Sequence, residues 1–67
     1  MKKFTHKFTN DFIYYPGVQF YITGRENSAD QIEIVIDSHP ERGYQMDEDG
    51  NQIVWIKKHL LEQAETI

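Results

Sequence analysis

Ile32-Glu33-Ile34-Val35-Ile36-Asp37 is the stretch on which the fold turns. Three isoleucines recur at every second position, with Glu33, Val35 and Asp37 in the alternate phase. Period two belongs to extended chain, whose successive side chains point to opposite faces. Ile32, Ile34 and Ile36 therefore line a buried face. Glu33 and Asp37 are spaced as a carboxylate pair could be, and they read as the solvent side of the same strand.

Upstream, residues 25–31 form a polar loop, preceded by Val18, Phe20 and Ile22 alternating with Gln19, Tyr21 and Thr23. That is a second strand, closed by Gly24, and its phase sends Tyr21 away from the core that Phe20 and Ile22 fill. Phe12 to Tyr15 is an apolar run ended by the turn signal Pro16-Gly17. Phe4, His6 and Phe8 alternate with Lys3, Thr5 and Lys7 until Asn10-Asp11 interrupts them, so residues 1–12 are either an extra strand or an N-terminal arm.

Downstream, Ser38 to Gly43 is a loop whose Pro40 is incompatible with a central strand. Tyr44–Asp47 and Gln52–Ile56 flank Glu48-Asp49-Gly50-Asn51, and Asp-Gly between strand-like runs signals a hairpin. A two-residue turn pairs Met46 with Ile53 and Tyr44 with Trp55; a three-residue turn pairs Met46 with Val54 and Tyr44 with Ile56. A slip of one turns the strand over, so both placements of Trp55, inside or outside, stand. Lys57 to Glu65 lacks β-branched residues and reads as one to two turns of helix, 3₁₀ at its start, followed by fraying at Thr66 and Ile67.

The composition agrees with strands. Eight Ile and three Val face two Leu and two Ala, and nine aromatic residues add bulk. The 67 residues make one domain with no cysteine, so a compact core or an oligomer must supply what disulfides supply elsewhere. No apolar run approaches a membrane span and charge returns too soon after Met1 for a signal peptide, so the expectation is a cytoplasmic protein. The net charge of −4 is uneven: +3 over residues 1–10 and −7 over residues 11–67. An acidic body works against phosphate binding and makes direct nucleic-acid contact unfavourable.

Gly43-Tyr44-Gln45-Met46, the acidic turn Asp47 to Asn51, Trp55-Ile56 and Leu61-Glu62 together resemble the end of small SH3-like β-barrels of bacterial and prophage origin, and Pro16-Gly17-Val18 resembles their beginning. The resemblance spans roughly residues 14–62. It implies a five-stranded antiparallel barrel, all-β with one short C-terminal helical turn, in which Ile56 and Leu61 point inward and Trp55 is more exposed. The Ala-Leu-Tyr-Asp-Tyr segment and Trp-Trp pair of the proline-binding SH3 domains are absent, so that activity is not carried over. A curled antiparallel sheet with the C-terminal helix across one face is the other architecture the pattern allows.

Signatures of catalysis are missing. Ser28 and Ser38 sit in no nucleophile motif, and no glycine-rich phosphate loop occurs. Placing Gly50 sixth in a calcium loop puts Gln45 first and Ile56 twelfth, and both fail as ligands. His6, His39 and His59 lack zinc spacing, so no metal or cofactor is expected. The remaining candidate is an aromatic contact patch of Tyr14, Tyr15, Tyr21, Tyr44 and Trp55, since such rings anchor interfaces. The expected function is thus a non-catalytic module binding another protein, as a monomer or weak homodimer. The alternative is an acidic mimic of nucleic acid that blocks a DNA- or RNA-handling protein through Asp30, Glu33, Asp37, Glu41, Asp47, Glu48 and Asp49.

Overall fold

The computed structural model describes residues 3–40 and 43–67. It is an all-β domain of five antiparallel strands in one sheet, ordered β4-β3-β2-β1-β5. The strands are β1 (His6–Phe8), β2 (Gln19–Glu26), β3 (Gln31–Ile36), β4 (Ile53–Lys57) and β5 (Ala64–Thr66), with the 3₁₀ helix η1 (Lys58–Gln63) between the last two. Crossing from β4 to β5 takes four inter-strand steps, about 19 Å in a flat sheet. The helix joining those two edges spans only about 12 Å. The sheet therefore curls until its edges approach.

A kink in β2 assists the curl. Ile22 pairs with Ile34 and Glu26 with Ile32, so Thr23, Gly24 and Arg25 stand opposite the single residue Glu33. Gly24 adopts φ +95° there, which a residue with a Cβ rarely adopts. The strand thus runs through Gly24 to Glu26 instead of ending at it.

The inner face carries the core: Phe8, Phe12, Phe20, Ile34, Ile36 and Ile56 are buried together, with Leu61 half-buried against them. Phe8 lies between Phe12 and Phe20, with ring centroids 4.4 and 4.3 Å away. Phe12 comes from the loop joining β1 to β2, which reaches back over the core.

Four further expectations differ from the structure. Tyr21 is only 7% exposed, because the sheet's outer face is covered too. The Phe4 ring lies 6.1 Å from it, and its hydroxyl donates to Asp47 Oδ2 at 2.8 Å. Glu33 is buried on that face as well. The segment 44–47 is no full strand: Met46 bridges Gln52 and the Asp47 amide donates to the Asn51 carbonyl, so the turn is Glu48-Asp49-Gly50, three residues centred one position earlier than expected, with neither Ile53 nor Val54 opposite Met46; Asp47 Oδ1 holds it by accepting the amides of Asp49 and Asn51. Finally, Ala64–Thr66 is strand, not helix or frayed end. It pairs with β1, setting Ala64 against Phe8 and Glu65 against Lys7, and Ile67 donates its amide to Thr5.

Candidate functional site

Of the five aromatic residues expected to share a surface, the structure brings four to neighbouring clefts. Tyr14, Tyr15 and Trp55 line one of about 220 Å³, with Ile56, Lys57 and Leu60. Tyr15 and Trp55 also border a wider, more open one of about 640 Å³, with His39, Tyr44 and Ile53. Tyr21 lies apart, committed to the covered outer face.

Each ring is positioned differently. Tyr14 and Tyr15 ride the loop between β1 and β2, whose return is fixed by Gly17 and Phe12 amides donating to the Thr9 carbonyl. Tyr15 rests its ring on Phe8 and Phe12, at 6.0 and 6.2 Å. Tyr14 stands edge-on to Phe12 at 5.6 Å and stays exposed. Trp55 is half-buried on β4, opposite Glu33 of β3. Burial first, and the neighbouring Tyr44 second, raise the Tyr15 pKa above its usual value. Its phenol therefore enters a contact at neutral pH as an uncharged donor and acceptor.

Lys57 Nζ donates to the Ala29 carbonyl at 2.7 Å. Lys58 pairs with Glu26, which raises the Lys58 pKa through their hydrogen bond. These ties bind the β2–β3 turn to the end of β4, where Lys57 and Gln31 line the smaller cleft. The cleft thus offers apolar rings and side chains rimmed by hydroxyl and amide groups, a surface suited to contact.

The acidic residues do not gather on one face. Asp30 and Asp37 flank β3 at opposite ends, about 20 Å apart by strand rise. Glu33 is buried, and Asp47 is engaged by Tyr21 and its own turn. Glu48 and Asp49 are exposed at the turn; Glu41 lies outside the described residues. Among the described residues, no three His, Asp or Glu side chains gather as a metal site. His6 stacks on Phe20 at 5.3 Å, and His39 Nδ1 lies 3.0 Å from the Gly50 carbonyl, which makes that nitrogen the donor. His59 is exposed on η1.

Two contributions escape sequence reasoning. Gln31 and Leu60 join the aromatic cleft only because β3, β4 and η1 meet there. A third cleft, on the outer face around Glu33, depends on the three-against-one kink of β2. The chain matches no protein-family model, no curated protein and no solved structure at a significant level. No helix among the described residues is long and apolar enough to cross a membrane.

Proposed function

We propose that this chain is a non-catalytic binding module on an SH3-like barrel, docking another protein in the cytoplasm of a bacterial or phage-infected cell. The observation that carries the reading is the convergence of Tyr14, Tyr15 and Trp55 on one cleft from elements distant in sequence. Aromatic anchors around a partly apolar hollow are the usual energetic centre of a protein interface. The strand order, with a 3₁₀ helix joining the two edge strands, supports kinship with SH3-like barrels.

Capture from host lysate by the immobilised wild-type chain, beside Tyr14→Ala, Trp55→Ala and the double variant Glu48→Gln/Asp49→Asn, tests this. The expected result is a protein retained by wild type and the acidic-turn variant but lost from both aromatic variants. Retention should hardly change between about 50 and about 300 mM salt, since the contact is not chiefly ionic. A partner released by salt and by the acidic-turn variant, yet kept by Trp55→Ala, would overturn the reading in favour of acidic mimicry.

A further inference from the structure

Glu33 is a charge in an unusual position. It sits on β3 between Ile32 and Ile34, with its side chain only 8% exposed. A carboxylate taken out of water needs hydrogen bonds or a counter-charge in compensation. Here groups of the protein supply only part of it, and Oε2 faces the open cleft instead of being sealed from water. Oε1 accepts the Thr23 hydroxyl at 2.8 Å. Among the described residues the nearest cation is Arg25, whose Nε stands 3.9 Å from that same oxygen, too far for a hydrogen bond, on a side chain 78% exposed. Oε2 accepts no hydrogen bond from the described residues.

The surroundings give that oxygen a place to be met. Glu33 lines an open cleft of about 280 Å³, shared with Tyr21, Thr23, Arg25, Val35, Asp47 and Ile53. Val35 and Ile53 are cross-strand neighbours and form an apolar wall. On the other side, Asp47 holds the Tyr21 hydroxyl through Oδ2. A buried carboxylate beside an aliphatic wall is complementary to a long side chain with a cationic head: the methylenes pack on Val35 and Ile53, and the head donates to Glu33. The kink in β2 sets Thr23, Gly24 and Arg25 opposite Glu33, and Thr23 and Arg25 line the cleft with it.

We propose that this outer-face cleft receives a lysine or arginine side chain of a partner protein, with Glu33 as the residue that binds its head group. Arg25 acts as the tethered competitor that shields Glu33 in the free protein. The inference stands on Glu33 and its cleft, independently of the aromatic surface.

Amide-detected NMR titration of the full chain tests it, with N-acetyl-arginine amide, N-acetyl-lysine amide and the neutral N-acetyl-citrulline amide as probes. Saturable shifts at Thr23, Glu33 and Ile53 are expected with arginine or lysine and none with citrulline; the tighter of the two cationic probes identifies the head group. Glu33→Gln keeps the size and the Thr23 bond, and should weaken binding about tenfold or more by removing a charge-assisted bond. Arg25→Ala, altering only an exposed side chain, should tighten binding. Equal shifts with citrulline, wild-type affinity in Glu33→Gln, or loss of binding in Arg25→Ala would overturn the proposal.

Discussion

Gly17 and Thr9 decide how the loop bearing Tyr14 and Tyr15 is held. Gly17 has φ +70°, and a Cβ there would stand 2.8 Å from Asn10 Oδ1. Gly17→Ala is therefore expected to destabilise the domain by about 1–2 kcal/mol, read as a lower thermal midpoint. Thr9 Oγ1 is buried without a hydrogen-bond partner among the described residues. Thr9→Val removes that orphan and should stabilise by about 1 kcal/mol in denaturant titration. Tyr21 adds a pH signature. Burial foremost, then its bond to Asp47, push its pKa up to about 12 from the usual 10.0. Between these values the native form holds a proton that the unfolded chain has lost. The associated stability is complete below pH 10 and drains as pH rises through 12. Tyr21→Phe has no such proton, so its stability should fall less than the wild type's over that window.

Among the elements, β5 is the one whose placement is most open to test. Thr9 donates to the Gln63 carbonyl and Ile67 to Thr5, so odd-numbered residues of this segment bond toward β1. Glu65→Pro removes a ladder donor and should cost about 1–3 kcal/mol, whereas Thr66→Pro, in the outward phase, should cost clearly less. A C-terminal helix would not separate these two variants. The sequence reading erred here because Ala64 and Glu65 have helical propensity; pairing with β1 and contact with Phe8 override it. By contrast, β3 was legible because Ile32, Ile34 and Ile36 form a strict period over a buried face. Glu33 belongs to the same pattern and was misplaced: alternation reports two faces, and not how closely neighbouring side chains surround the second. The aromatic cleft was legible as a set of residue types. Leu60 and Gln31 were not, since their place in the cleft depends on the β3–β4 register that pairs Gln31 with Lys57 and on the β1–β2 loop bringing Tyr14 and Tyr15 to them.

At the scale of the whole molecule, the core rests on few residues. A domain of 67 residues has roughly 3–10 kcal/mol of total stability. Phe8 is fully buried between Phe12 and Phe20, and truncating such a ring costs about 3–5 kcal/mol. Phe8→Ala should therefore abolish the cooperative thermal transition. The charge division also changes meaning in three dimensions. Lys7, part of the basic segment, lies on the interior strand β1 opposite Glu65, so residues 6–8 are built into the sheet. The curl that joins the sheet's edges is also what sets Tyr14 and Tyr15 beside Trp55. Trp55 is the single tryptophan, so 5-fluorotryptophan incorporation gives one ¹⁹F resonance for that surface. The decisive measurement is its solvent isotope shift between H₂O and D₂O, in the free chain and after addition of the captured partner. The account predicts a clear shift in the free chain that disappears in the complex as the ring is covered; an isotope shift unchanged by the partner would contradict it.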